Sequence, residues 1–183
     1  NMIKKNIKKN NSIQEINSNT ALKIEINSWE KKVLFDSTNS KKFIKRQVIL
    51  AKNSNLELYW VINKSSNYEL EILSNDLNSN LKVSYLLIGN KDKKIKFKIN
   101  SKIFASNTKV NIFIISMVSD FWDIEADCDI KINSGLKKIE ANISEENIFL
   151  WETWRIKGIP ALEINCQDVI ASHNLKIEKI SDE

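Results

Sequence analysis

The chain has 183 residues, of which 42% are hydrophobic and 28% charged, as expected for one globular domain with its own core. Its net charge of +5 comes with only two arginines, and lysines are poor at bidentate phosphate or base contacts, so nucleic-acid binding is not expected. Two cysteines are too few for a disulfide scaffold, and no run approaches the ~18 apolar residues of a membrane span. We therefore expect a cytoplasmic protein with reduced thiols and no membrane contact.

Residues 1–20 are polar and rich in lysine and asparagine, which predicts a flexible or partly helical N-terminal segment. Residues 21–183 are predicted to form a single core domain. In this part apolar and polar side chains alternate in short runs, the pattern of half-buried strands. In chain order, strands are predicted over residues 22–26, 29–35, 48–51, 56–62, 68–72, 81–88, 95–99, 109–118, 124–132, 136–143 and 162–166, with a short apolar run at 169–171.

Turn-forming clusters of Asn, Ser, Asp and Gly recur about every 10–13 residues, and no stretch after Thr20 has a sustained helical period. The chain is therefore predicted to be nearly all β. This spacing is typical of a β-sandwich or barrel. It also fits a β-solenoid in which two strands and two turns make a coil of roughly 20–25 residues. The periodicity leaves these folds open.

The stretch from Gly158 to Ile180 contains the only proline, the only histidine and one of the two cysteines of the chain. It reads Pro-x-Leu-Glu-Ile from Pro160, then Asp-Val from Asp168, then Ser-His ending at His173. This pattern resembles the end of the core domain in the SufB/SufD family of iron–sulfur cluster assembly proteins, and it is closest to the SufD side. The residues in register are Pro160, Leu162, Glu163, Ile164, Asp168, Val169, Ser172 and His173.

The resemblance implies a right-handed parallel β-helix, with a β-sandwich as the alternative fold. It also implies a scaffold rather than an enzyme, paired with a SufB-like subunit or with a second copy of itself as a dimer. His173 is then the candidate iron or cluster ligand at the subunit interface, since a neutral imidazole binds iron. One histidine cannot hold a cluster, so the cluster would be transient and shared with the partner chain.

Two departures from the family pattern are visible. Residues 174–176 are Asn-Leu-Lys where the family has Gly-Ala-Thr. The chain ends at Glu183, where relatives continue into helices that bind the SufC-type ATPase, so we do not expect this chain to bind that ATPase in the family's manner.

The other candidate residues favour structural roles. Cys128 and Cys166 lie in alternating apolar runs and are predicted to pack as small hydrophobic residues. Glu163 and Asp168 are predicted to hold turns or to pair with lysines rather than to act as acids or bases. Nothing in the sequence assigns the cysteines a role beyond packing.

Trp151 and Trp154, just before the motif, are expected to pack in the core, with an interface patch as the alternative. No phosphate-binding loop, dinucleotide fingerprint or nucleophile elbow is present. Ser172 and His173 are adjacent in an extended run, so their side chains cannot face each other as a catalytic pair.

Two other hypotheses remain. One is a SufB/SufD-like fold kept only as a structural or oligomerisation module without a cluster role. The other is a β-solenoid carbohydrate-active protein, which requires a patch of acidic side chains. The candidate patch consists of Asp120, Asp123, Glu125, Asp127 and Asp129, of which the last four share the polar face of one predicted strand. A solvated face is the simpler interpretation of these residues.

Overall fold

The computed structural model describes residues 3–4, 13–38, 40–89, 94–119, 123–150 and 155–180, and the secondary structure of these residues is entirely β. The strands are β1 Ile3–Lys4, β2 Gln14–Ile16, β3 Leu22–Ile26, β4 Lys31–Asp36, β5 Ile44–Leu50, β6 Asn55–Ile62, β7 Ser66–Ser74, β8 Asn80–Gly89, β9 Lys94–Ile103, β10 Lys109–Val118, β11 Asp123–Ile132, β12 Ile139–Phe149, β13 Arg155–Ile164 and β14 Val169–Lys179.

The odd-numbered strands form one seven-stranded sheet, here sheet A, and the even-numbered strands form a second seven-stranded sheet, sheet B. Every strand pairs in parallel with the strand two places along the chain, as Leu22 with Arg46 and Cys128 with Pro160. The chain therefore passes from one sheet to the other and back, adding one strand to each sheet per coil. This architecture is a parallel β-helix. The predicted β-helix is confirmed. The sandwich alternative is wrong, because all of these pairs join strands from successive coils.

Side chains alternate between the inside and the outside of the coil, as the pleat of a strand requires. In β6 and β8, for example, every second residue is buried. Four inward aromatic rings form a continuous stack: Trp60 lies 5.5 Å from Tyr68 and 5.6 Å from Tyr85, and Tyr85 lies 4.2 Å from Phe97 between ring centroids. Burial of this interior supplies the hydrophobic stabilisation of the coil.

The corners leading from sheet A to sheet B share one backbone conformation. Asn53, Asn78 and Asn107 have φ of 57°, 60° and 56°, and Lys138 has φ of 55° at the next corner. The amides of the three asparagines donate to carbonyls of the following corner, at 2.9–3.3 Å. Asparagine tolerates this left-handed conformation better than most residues. Part of the chain's high asparagine content therefore has a structural role at these corners.

A buried ion pair lies inside the coil near its N-terminal end. The Arg46 Nε donates to Asp36 Oδ2 at 2.6 Å, and both side chains are fully buried. The other guanidinium nitrogens donate to the carbonyls of Ser18 and Thr20 and to the Thr38 hydroxyl, at 2.8–2.9 Å. The guanidinium also lies 5.3 Å from the centre of the Trp60 ring. The buried guanidinium of Arg46 is therefore satisfied by an ion pair and by hydrogen bonds.

The sheets extend before Ala21, because Ile3–Lys4 pairs with β3 and Gln14–Ile16 pairs with β4. Ile16 is buried in the core. Several predicted strands are longer in the structure, above all the run predicted at residues 169–171, which continues to Lys179. In the part of the chain that the structure describes, no helix is long and apolar enough to cross a membrane.

Candidate functional site at the last coil

The motif residues lie on the last coil, which consists of β13 and β14. Among the described residues these two strands are the final strands of sheets A and B, and each pairs with another strand on one side only. His173 lies in the middle of β14, opposite Ile143 of β12, and is exposed. The short run predicted at residues 169–171 is longer in the structure, because β14 continues through His173 for six more residues to Lys179. The histidine is therefore presented by a regular strand and not by a turn.

His173 belongs to the inward-facing row of β14. Val169 and Ala171 pack against the core, and the alternation of the strand places His173, Leu175 and Ile177 on the same side. Their register partners on β12 are buried, whereas Leu175 is 49% and Ile177 64% exposed. The difference arises because no further coil in the described chain covers this row.

The inward row of β13 completes the uncovered surface. It contains Ile156, Leu162 and Ile164, and Ile164 is 42% exposed. We call the inward-facing rows of the two strands the end face; it consists of Ile156, Gly158, Pro160, Leu162, Ile164, Val169, Ala171, His173, Leu175, Ile177 and Lys179. An exposed apolar surface bounded by two free strand edges is suited to contact with another protein surface.

The outer side of β14 is fixed by a ladder of polar side chains. The Ser172 hydroxyl donates to Asn142 Oδ1 at 2.7 Å, and Asn142 Nδ2 donates to Asn111 Oδ1 at 2.8 Å. Further along, the Lys176 ammonium lies 3.3 Å from Glu146 Oε1. Ser172 thus points away from the His173 side, as expected for adjacent residues of a strand, and the two do not form a catalytic pair.

The motif residues on and just after β13 have identifiable structural contacts. Pro160 pairs in register with Cys128, and a proline is tolerated in an edge strand because its missing N–H faces no partner. Glu163 is 2.7 Å from Lys131, and hydrogen bonds from Lys131 and Asn165 lower the pKa of its carboxyl. The Asp168 carbonyl accepts a hydrogen bond from the Ile139 amide at 3.1 Å. The Glu163 carboxylate is therefore paired with a lysine, whereas the Asp168 contact is made by its backbone.

The two cysteines do not join His173 in a ligand set. Cys128 is fully buried in the core, and burial raises the pKa of its thiol well above the ordinary value. Cys166 lies just after β13 and packs against the core from a partly exposed position. Among the described residues, no group of three or more His, Cys, Asp or Glu side chains is arranged to hold a metal ion. Any cluster held at His173 would need ligands from outside these residues.

Three of the acidic residues considered for carbohydrate chemistry, Asp123, Glu125 and Asp127, lie on the outer face of β11 and are paired with lysines of β9. Lys94 lies 3.0 Å from Asp123, Lys96 lies 3.0 Å from Glu125, and Lys98 lies 3.5 Å from Asp127.

These pairs form a regular ladder on a solvated face, and the Lys96 ammonium lowers the pKa of the Glu125 carboxyl. Asp120 lies outside the described residues, as do Trp151 and Trp154. Asp129 lies in the same outward row, and burial together with the neighbouring Asp127 raises the pKa of its carboxyl. Three of the four described acids are thus neutralised by lysines, which favours a solvated face.

Sequence reasoning missed Glu145, which lies in the inward row of β12 between Ile143 and Asn147. It is only 2% exposed, and its Oε1 has no hydrogen-bond partner. Burial raises the pKa of this carboxyl to about 7. The alternation of Ile139, Ala141 and Ile143 places residue 145 on the inward side, so the signal was present in the sequence.

The chain also matches a known protein family. The model described as "SUF system FeS cluster assembly, SufBD core domain" matches residues 9–183, which includes the described strands from β2 to β14. No curated protein matches the chain.

Proposed function

Because the chain belongs to the SufBD core-domain family of the SUF system for iron–sulfur cluster assembly, we propose that it acts as a SufD-like scaffold subunit without catalytic activity of its own. Members of this family work in SUF complexes with partner subunits. In the proposal the end face of the last coil contacts a SufB-like subunit, or a second copy of the chain, and the cluster is the cargo of the pair.

One observation carries this proposal: the motif histidine is exposed in the inward row of an edge strand, at the uncovered end of the coil. From there an imidazole nitrogen can reach a metal ion held by a second subunit. The adjacent Leu175 and Ile177 supply apolar surface that pairing would remove from water. The free edges of β13 and β14 can add the hydrogen bonds of strand pairing.

The pairing is tested by co-expressing the chain with a SufB-like subunit and measuring complex formation by analytical ultracentrifugation, alongside the chain alone. Ile177→Lys introduces a charge into the end face and is expected to weaken either complex at least tenfold. Ile170→Lys is the matched control, since Ile170 is on the outer side of the same strand and 73% exposed. Equal binding by both variants would exclude the end face as the contact.

The ligand role is tested separately on the complex by its iron content and visible absorption. His173→Ala is expected to leave pairing intact and to reduce bound iron, because it removes a ligand and little apolar area. Ser172→Ala is the control on the neighbouring residue, whose hydroxyl contacts Asn142 instead. Unchanged iron content in His173→Ala would reject the site.

A second candidate function is a structural or oligomerisation module of the same fold without a cluster role. It is favoured by the apolar character of the end face around His173, which suits pairing whether or not iron is bound. This function predicts a metal-free complex that is lost in Ile177→Lys and indifferent to His173→Ala. The two experiments above therefore distinguish the candidates.

A further inference from the structure

Of the two buried carboxylates among the described residues, Asp36 is paired with Arg46, whereas Glu145 lacks an ion-pair partner. Leaving a buried polar group without a partner costs free energy, and a buried charge costs more. The structure therefore places an uncompensated carboxyl inside the coil. It lies one coil below the uncovered end.

Among the described residues, only the last coil covers Glu145 on that side. In sheet B its register partner is Leu175 of β14, which is half exposed. From sheet A, Gly158 of β13 faces the carboxyl so closely that an ideal Cβ at position 158 would overlap Glu145 Oε2. If β13 and β14 moved away from the coil below, Glu145 would be hydrated.

No cation among the described groups that face Glu145 offsets its charge. In sheet B its partner on the other side, Ile114 of β10, is apolar. In sheet A the buried thiol of Cys128 on β11 interacts electrostatically with Glu145, and a thiol is not cationic.

Two titratable residues of β14 lie in the same inward row as Leu175. His173 lies two residues before Leu175, and Lys179 lies four residues after it. Neither of these groups contributes to the raised pKa of Glu145, for which burial is the one cause.

We propose that the protonated Glu145 side chain holds the last coil closed, and that ionisation of this carboxyl favours detachment of β13 and β14 from the coil below. The coupling is a property of the chain itself and operates whether or not the end face pairs with another subunit. It makes the exposure of this end dependent on pH.

The direction and size of the effect follow from linkage. In the closed coil the carboxyl has a pKa of about 7, and in the open coil it returns to its ordinary value of 4.5. Between pH 4.5 and about 7 the carboxyl is ionised in the open coil but still protonated in the closed coil. The equilibrium constant for opening therefore increases with pH in this range, and it levels off above about pH 7. From pH 5.5 to pH 8 the fraction open is expected to increase on the order of twenty-fold.

Hydrogen exchange followed by mass spectrometry tests this proposal on the full chain. The peptides to follow cover β13 and β14, with β5 and β6 as the internal reference, and each rate is divided by the intrinsic rate at that pH. We expect protection of β13 and β14 to fall on the order of twenty-fold from pH 5.5 to 8. In Glu145→Gln it should not change with pH.

Glu146→Gln is the matched control, because Glu146 is adjacent but faces outward to Lys176; it should behave like the unchanged chain. Glu145→Met, an apolar side chain of similar length, provides a second variant if the glutamine is poorly tolerated. Protection that is independent of pH in the unchanged chain would overturn the proposal. So would a fall that persists in both Glu145 variants, since a group other than Glu145 would then be its source.

Discussion

The carboxyl of Glu145 occupies the space that a side chain at position 158 would fill. An ideal Cβ built on Gly158 overlaps Glu145 Oε2, while the glycine itself leaves room for the carboxyl between β12 and β13. Glycine in a strand interior is otherwise unfavourable, because it has more freedom to lose and no side chain to pack. The two residues are therefore expected to be energetically coupled.

Gly158→Ala is expected to destabilise the chain by about 1–2 kcal/mol, because the new methyl group forces the buried carboxyl to move. In a Glu145→Ala background the same change should be neutral or slightly stabilising, since the space is then free. Urea denaturation of the four variants at pH 5.5, arranged as a double-mutant cycle, measures the coupling. Additive effects of the two substitutions would show that the close approach has no energetic consequence.

Global stability should depend on pH through the same carboxyl. The folded state raises the pKa of Glu145 from 4.5 to about 7, so the folded state holds the proton more tightly than the unfolded state. Below pH 4.5 both states are protonated and no penalty exists; between pH 4.5 and 7 the free energy of unfolding falls, and above 7 the loss is complete. At pH 8 Glu145→Gln should be more stable than the unchanged chain by about 3 kcal/mol, because about 2.5 pKa units at 1.36 kcal/mol each are then lost in full.

Denaturation curves at pH 5 and pH 8 check this expectation, with Glu146→Gln as the control. The gain from Glu145→Gln should be only about 1 kcal/mol at pH 5, because the folded carboxyl is still protonated there and pH 5 is only slightly above the pKa of the unfolded one. If Glu145→Gln stabilises the chain equally at both pH values, the packing of the new side chain and not ionisation of the carboxyl is responsible.

Arg46→Met should destabilise the chain by about 3–5 kcal/mol, because it leaves the Asp36 carboxylate buried without its partner. Replacing both residues, as Arg46→Met with Asp36→Leu, should recover most of this loss, since no unpaired charge remains. Thermal and urea unfolding of the single and double variants measure the difference. If the double variant is no more stable than the single one, the hydrogen bonds of Arg46 to Ser18, Thr20 and Thr38 matter more than its charge.

Lys138 adopts the left-handed conformation that asparagine adopts at the three preceding corners. Lys138→Asn should therefore stabilise the chain by roughly 0.5–1 kcal/mol, because the backbone strain at this position is reduced. Lys137→Asn is the control at the exposed neighbouring position and should change stability by less than about 0.5 kcal/mol. A loss of stability in Lys138→Asn would indicate that the lysine side chain has a contact of its own.

The strand predictions succeeded where alternation was uninterrupted. The strand predicted at residues 109–118 coincides with β10, and the long alternation from Ile124 to Ile132 falls within β11. They failed where polar residues enter the inward row. The strand predicted to end at Ile143 continues through Glu145 and Asn147 to Phe149, and the run predicted at residues 169–171 continues through His173 to Lys179.

The candidate site could be located from the sequence only through the motif that contains His173. Its position on the last coil agrees with the expectation, although the strand around it is longer than predicted. Glu145 was overlooked because a single glutamate within an apolar row resembles many exposed glutamates. Arg46 was overlooked for the same reason, although it alternates with Ile44 and Val48.

The amino-acid sequence alone determined that this chain is built of short strands, because the two-residue alternation of apolar side chains can bury only one face of each segment. It did not determine how those strands pair. Sandwich and coil satisfy the same alternation, and register depends on which segments meet in space. Only the tertiary structure decided that Glu145 is enclosed while His173 is exposed, because that difference depends on whether another coil lies above each row.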